Sequence, residues 1–274
     1  RSRPGRTAAG VPSASEWGVP EAPSSFFAPA TTAGEVAAGY QAFVDLPECF
    51  GTGTRQTDKE KYWATGFASQ QDDLAMSFTR EELVQKMGAL ADSGSFDELR
   101  GEFRLCTTNQ WDYNQAREFA KDSLVWDPYV GRVAYRPFDR RWSVLHRHVL
   151  TILRRQVMSQ LAPSRENLAL VCSRAVNDVS FSHCFVAREP VDKIFLSSKT
   201  STNAYVFPLY FGSEDTSQAG RRPNLSAPFQ AALASALGVE QDVGVSRLPA
   251  GISADDVLGY IYAVLHSPAY RERY

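Results

Sequence analysis

The sequence predicts an α+β fold, in which a central mixed or antiparallel sheet has flanking helices and two C-terminal helices. Short segments between residues 133 and 211 alternate or run apolar, are rich in Val, Phe and Tyr, and are too short for helices. Helical patterns lie before this region and after it. Strands grouped in the middle and helices grouped at the end favour α+β over a regular βαβ alternation.

Helices are predicted where a capping residue precedes an apolar stripe. Thr79 followed by Glu82 is a capping-box pattern. Ser253 precedes the last stripe, and Gly238 ends the stripe before it. The predicted helices cover about residues 80–91, 112–124, 228–237 and 254–266, and the run from 150 to 161 also has helical spacing. The face of the last helix that is expected to be buried carries Leu258, Ile261, Tyr262 and Leu265.

The strands are predicted from short apolar or alternating runs. The runs 133–138 and 141–145 form a predicted hairpin around a turn at Asp139 and Arg140. The other predicted strands are 168–173, 183–187, 194–198 and 205–211. The aromatic residues that lie in these runs and are expected in the core are Tyr135, Phe138, Trp142, Phe207 and Tyr210.

Composition divides the chain into three predicted parts. Residues 1–50 are rich in turn-forming residues and are linker-like, 51–130 form a mixed helical subdomain, and 131–274 form the α+β core. The chain begins at Arg1 and its first thirty residues are rich in Pro, Ala, Ser, Thr and Gly, which is typical of an internal piece of a longer protein. At 274 residues and 43% hydrophobic content, a folded protein is expected.

The sequence lacks the marks of a membrane or secreted protein. It has no apolar run of the roughly 18 to 20 residues that a membrane span needs, and its start has no signal-peptide stretch, so no membrane partner and a cytoplasmic location are expected. The four cysteines have no paired short spacing, which favours buried thiols over disulfides. Neither His146 with His148 nor His183 with the cysteines has zinc-site spacing, so no metal site is predicted.

Several enzyme classes leave sequence patterns that this chain does not have. The Gly-rich run at residues 51–54 lacks the lysine of a phosphate-binding loop. No Pro-Pro pair is present, although the tetrad of amino-group DNA methyltransferases contains one. There is also no Gly-x-Ser-x-Gly motif of serine hydrolases. We therefore expect that the chain is not an enzyme on its own and holds no cofactor.

Positive charge is concentrated in one segment. Between residues 132 and 155 there are seven arginines and the single acid Asp139, whereas the whole chain has a formal charge of −2. Such segregation allows one basic face to bind an anion. The alternative is that several of these arginines form ion pairs within the fold.

Five blocks, in order along the chain, resemble the C-terminal specificity domain of type ISP restriction-modification enzymes. The likeness is clear over about residues 133–274 and thinner before that. The blocks are YRPFDRRW at 135–142, RRQVM at 154–158, NLALVCSR at 167–174, YVFPLY at 205–210 and DVLGYIYAVLHSPAYRERY at 256–274.

The resemblance implies the last region of a single large polypeptide that also has nuclease, translocase and adenine methyltransferase regions. Double-stranded DNA and the methyltransferase domain of the same polypeptide are then the expected partners. S-adenosylmethionine, ATP and Mg²⁺ are expected only for that parent enzyme. Arg or Lys would read guanine and Asn or Gln would read adenine in the major groove, while other cations would contact phosphates.

The candidate DNA contacts are chosen by charge and by position in the matched blocks. Arg136 precedes a proline in the predicted hairpin, and pairing with Asp139 is its equal alternative. Polar loops often carry binding residues, which adds candidates outside the basic segment. The full set is Arg140, Arg141, Arg154, Arg155, Arg136, Arg174, Lys199, Thr52, Thr54 and Arg55.

Two other function classes stay open at the sequence level. The chain could be a protein-interaction scaffold whose basic segment contacts the methyltransferase or translocase region. It could also be a stand-alone enzyme of an unfamiliar type. Salt-dependent duplex binding discriminates recognition from scaffolding, and turnover by the chain itself would support the enzyme.

Overall fold

A computed structural model describes residues 43–50, 62–108, 110–173, 183–197, 202–212, 221–241, 244 and 246–273. Within these residues the fold is α+β, as the sequence predicts. The helices are α1 Leu46–Cys49, α2 Asp72–Ala75, α3 Arg80–Asp92, α4 Phe96–Phe103, α5 Tyr113–Ala120, α6 Ser123–Trp126, α7 Arg155–Met158, α8 Ala227–Leu237, α9 Ala254–His266 and α10 Pro268–Arg273. Short 3₁₀ helices span Asp127–Tyr129 and Ser159–Leu161. No described helix combines the length and apolarity needed to cross a membrane.

The strands form one four-stranded sheet and two hairpin-like pairs. In the larger sheet the order is β1-β6-β4-β5, and every pairing is antiparallel. β2 pairs with β3, and β7 pairs with β8. The strands are β1 Ala64–Thr65, β2 Val130–Arg136, β3 Asp139–Val144, β4 Ala169–Cys172, β5 Cys184–Ala187, β6 Tyr205–Pro208, β7 Tyr210–Phe211 and β8 Arg222–Pro223.

The four-stranded sheet packs against a hydrophobic core on each face. Along β4, Ala169 and Val171 face a first core that also holds Leu83 of α3, because successive side chains of a strand point to opposite faces. Leu170 faces a second core, to which Leu258 of α9 belongs. All of β4 is buried, so its sequence runs apolar without alternation.

The helices predicted after Thr79 and Ser253 form, whereas α4, which is capped by Ser95, was not predicted. The Thr79 hydroxyl accepts from Glu82 N at 3.1 Å, and α9 has a complete capping box between Ser253 and Asp256. Gly238 ends α8 with φ 65°, a left-handed conformation that glycine adopts without strain. Of the four α9 residues expected on the buried face, Leu258 and Leu265 are buried and the other two are half-buried against the second core.

Two sequence predictions fail because backbone groups in those segments form hydrogen bonds with other parts of the fold. The run 150–161, which has helical spacing, is helical only from Arg155, since Ile152 exchanges both backbone hydrogen bonds with Ala68, at 2.8 and 2.9 Å. The strand predicted over 194–198 is a turn in which the Asp192 carboxylate accepts from Ile194 N. The helix predicted over 112–124 is divided into α5 and α6.

Two predictions about single side chains are also wrong. The hairpin turns at Pro137 and Phe138, not at Asp139 and Arg140, so Phe138 is fully exposed and not in the core. Cys106 is exposed, whereas the other three cysteines are buried. Its backbone is tied to the Gln71 side chain by two 2.8 Å hydrogen bonds, which leaves the thiol outside. The division of the chain at residues 50 and 130 stays a prediction.

Candidate nucleic-acid interface

The β2–β3 hairpin carries much of the basic segment and is anchored along both edges. The carbonyl of Ala134 in β2 accepts from Asp192 N at 3.0 Å, and the Ala134 N–H donates to Pro190 O at 2.9 Å. Trp142 of β3 exchanges two backbone hydrogen bonds with Ser77, at 2.7 and 3.0 Å. The hairpin is therefore fixed to the first core, and its tip has a defined position.

Arg136 is held by a buried acid at the base of the tip. Its Nη1 lies 2.8 Å from Asp192 Oδ1, and the Asp192 side chain is only 5% exposed. The guanidinium also stacks on the Tyr135 ring at 3.8 Å. Burial raises the pKa of Asp192 to about 6, although Arg136 and the Ile194 N–H act in the opposite direction. The alternative partner weighed from the sequence, Asp139, binds a different arginine.

Arg140 and Arg141 are both paired, but they differ in exposure. Arg141 forms a bidentate pair with Asp139, with Nε–Oδ1 at 2.6 Å and Nη2–Oδ2 at 2.8 Å, and covers the Phe78 ring at 3.4 Å. This pair lowers the pKa of Asp139. Arg140 Nε donates to Glu189 Oε2 at 2.9 Å, Arg140 Nη2 also contacts Glu189 Oε1, and the Arg140 side chain stays 57% exposed. Arg140 therefore presents donors to solvent, while Arg141 is largely enclosed.

Arg154 and Arg155 lie exposed at the start of α7. Arg154 has φ 54°, and its Nε lies 3.3 Å from the Thr65 hydroxyl. Arg155 is close enough to His146 to affect its titration. Burial, followed by the charges of His148, Arg147 and Arg155, lowers the pKa of His146 to about 4. The His146 ring stacks on Phe119 at 4.2 Å between centroids, so it is a packed, neutral residue at pH 7.

A groove beside the hairpin brings together arginines that sequence analysis missed as contacts. Arg132 of β2, Arg165 before β4 and Arg188 after β5 line a cleft of about 350 Å³ that we call the arginine groove. The Arg132 Nε is buried and has no hydrogen-bond partner among the described residues. Arg165 Nη1 donates to Gln160 Oε1 at 3.1 Å. No local sequence pattern marks Arg165 and Arg188, because only the folding of the sheet brings them near β2.

Half of the candidate contacts cannot be placed. Thr52, Thr54, Arg55, Arg174 and Lys199 lie outside the described residues. No group of His, Cys, Asp or Glu within the described ranges is arranged to hold a metal ion. The described arginines offer hydrogen-bond donors that suit phosphates and guanine edges.

A family model described as "Type ISP C-terminal specificity domain" matches residues 61–274. None of the curated proteins matches the chain in sequence. Solved structures that share the fold include two that are bound to DNA. One is described as a DrdV–DNA complex, with a TM-score of 0.55 and 18% identity. The match covers 78% of this chain and 20% of the DrdV chain. The other is described as the ATP-dependent Type ISP restriction-modification enzyme LlaBIII bound to DNA, with a TM-score of 0.54 and 15% identity. The match covers 85% of this chain and 15% of the LlaBIII chain.

This chain thus spans a fifth or less of these two neighbours. At such low identity they support the fold, whereas the family match extends from before β1 to the last helix. The sequence blocks, the fold and the family model all agree, and the chain belongs to the Type ISP C-terminal specificity domains.

Proposed function

We propose that this chain recognises the target sequence in double-stranded DNA on behalf of a Type ISP restriction-modification enzyme. The family match over residues 61–274 is the observation that carries the proposal. The exposed arginines beside the β2–β3 hairpin supply the electrostatic part of such binding, which is mostly contact with phosphates.

The arginines divide into two roles. Arg140, Arg154 and Arg155 are exposed and contact DNA directly, together with Arg188 of the arginine groove. Arg136 and Arg141 are enclosed by ion pairs and position the hairpin. The candidates outside the described residues, among them Arg174 and Lys199, remain proposed contacts.

The catalytic steps belong to other regions of the parent polypeptide in this proposal. The chain docks beside the methyltransferase region, which uses S-adenosylmethionine, while translocation and cleavage use ATP and Mg²⁺. The parent acts in the cytoplasm. This chain holds the duplex so that an adenine can be extruded into the neighbouring active site.

A docking role is the second candidate, and it rests on a different surface. An apolar cleft of about 590 Å³ lies between α8 and α9, lined by Leu233, Ile261 and Val264. Leu237 and Tyr260 are exposed at its edge, 51% and 71%. Large exposed apolar patches mark interaction sites. Duplex binding by the chain distinguishes recognition from docking alone.

The test is binding to fluorescent duplexes at several salt concentrations, with Arg140→Ala, Arg154→Ala and Arg155→Ala. Loss of a phosphate contact weakens all duplexes alike and lowers the salt slope by about 0.9. Loss of a guanine contact costs about 1–3 kcal/mol on the target site only. Arg104→Ala is the matched control, because Arg104 is an exposed, ion-paired arginine at the end of α4. Wild-type affinity and slope in all three variants would reject these residues as the DNA face.

A further inference from the structure

Phe138 has a position that the fold alone does not explain. It lies at the tip of the β2–β3 hairpin, is 100% exposed and has φ 66°. A bulky side chain is strained in this left-handed conformation, where glycine is the ordinary residue. The ring also leaves its apolar surface in water, so it stabilises nothing within the described residues. Such a combination points to a contact outside the chain.

The backbone on both sides of this ring is held in place. Pro137 restricts the backbone before it. On one side Arg136 is bonded to buried Asp192 at 2.8 Å, and on the other Arg141 grips Asp139 through two hydrogen bonds. The ion pairs of Arg136 and Arg141 therefore restrict the backbone of the tip. A rigid presentation lowers the entropy that a contact residue loses on binding.

The surroundings of the ring suit a base stack better than an apolar protein pocket. Apart from Pro137, its neighbours along the hairpin are charged, namely Arg136, Asp139 and the 57% exposed Arg140. A docking surface for a protein would continue the apolar area around the ring. A flat ring beside an exposed guanidinium instead matches bases that stack and phosphates that bind cations.

We propose that Phe138 is a wedge that inserts between base pairs of the bound duplex. Apolar side chains used in this way partly unstack a base step and bend or unwind the helix. This inference rests on the proposed function and deepens it, because it assigns duplex deformation to one residue. Arg136 and Arg141 are then positioning residues for the wedge.

The test uses the 274-residue chain and two probes: a relaxed closed-circular plasmid treated with topoisomerase, and a fluorescent 40-base-pair duplex of mixed sequence. Wild type should change the plasmid's linking number, because an inserted ring unwinds DNA. Phe138→Ala should abolish that change and weaken duplex binding roughly tenfold, the scale of one aromatic stack. Its salt slope should stay the same, since the slope counts phosphates. Phe138→Trp should retain unwinding.

Leu124→Ala is the matched control, since Leu124 is an 85% exposed apolar residue on α6, which precedes the end of β2 opposite the tip. It should behave as wild type, and thermal unfolding should show that both alanine variants are folded. Equal unwinding by wild type and Phe138→Ala would overturn the wedge and leave the proposed function standing. Absence of duplex binding by wild type at low salt would overturn both.

Discussion

The arginines of the basic segment differ most in what lies next to each guanidinium. The Arg136–Asp192 pair is largely buried, whereas the Arg104–Asp73 pair is exposed, with 83% of the Arg104 side chain in water. Removing one partner of a buried pair leaves an uncompensated charge in a poorly solvated place. An exposed pair is screened by water and contributes little.

We expect Asp192→Ala to destabilise the protein by about 3–5 kcal/mol, because Arg136 loses its buried partner. The double variant Arg136→Met with Asp192→Leu should recover part of this loss, as two apolar groups replace two charges. Asp73→Ala is the control and should cost less than about 1 kcal/mol. Urea denaturation measures all three. A small effect of Asp192→Ala would mean that the Arg136–Asp192 pair does not stabilise the hairpin.

His146 gives a prediction about pH. Its pKa is lowered to about 4 by burial and by nearby positive charge, while the unfolded chain takes up this proton near 6.5. Below pH 6.5 the unfolded state therefore binds more protons, and acid destabilises the fold. His146→Phe, which keeps a ring next to Phe119, should lose less stability than wild type between pH 7.5 and 5.0.

We expect a difference of about 1 kcal/mol, reduced from the full shift because the ring is only partly buried. The raised pKa of Asp192 acts in the opposite direction below pH 6, but it is common to both proteins and cancels in the comparison. Free energies of unfolding at the two pH values provide the measurement. Parallel pH profiles would contradict the packed, neutral state of His146.

At the scale of elements, close backbone approach decides which glycines are required. Gly66 follows β1 and lies against the backbone that leads into Asp192. A Cβ added there would lie 2.4 Å from the carbonyl oxygen of Val191. Gly88 lies within α3 and would meet no atom within 4 Å. The same substitution therefore has opposite effects at the two positions.

We expect Gly66→Ala to destabilise the protein by about 1–3 kcal/mol or more, because backbone must move to admit the methyl group. Gly88→Ala should stabilise it by about 0.5–1 kcal/mol through helix propensity. Thermal and chemical denaturation of the two variants check this. If Gly66→Ala were neutral, β1 and the segment before Ile194 would not be in contact.

At the scale of the whole molecule, one sheet serves two cores. Leu83 lies in the first core and Leu170 in the second, and β4 contributes side chains to both. Loss of β4 would therefore expose apolar surface on both sides of the sheet. The two cores are expected to unfold together.

We predict a single unfolding transition, coincident by far-UV circular dichroism and by tryptophan fluorescence. Leu83→Ala and Leu170→Ala should each shift the whole transition, by about 2–5 kcal/mol, since each leaves a cavity in a close-packed core. Two separate transitions, each moved by only one of the variants, would show that the cores are independent.

The sequence by itself determined the α+β class, the helices that begin after Thr79 and Ser253, and the family. Capping depends on residues within one turn, as with Thr79 and Ser253, so local pattern is sufficient. The five ordered blocks indicate the same family that the family model identifies. Strands β4, β5 and β6 of the larger sheet were also predicted, whereas the sequence left mixed or antiparallel pairing open and did not mark β1 as a strand.

Only the tertiary structure decided which charges are exposed. Arg136 and Arg140 find their acids 56 and 49 residues further along the chain, and Arg188 joins Arg132 only through the folded sheet. The exposure of Phe138 depends on a turn two residues from the predicted one. No local sequence pattern marks the pairing of these arginines or the exposure of Phe138. The energy of a charge or of an apolar ring depends on which residues other segments place beside it.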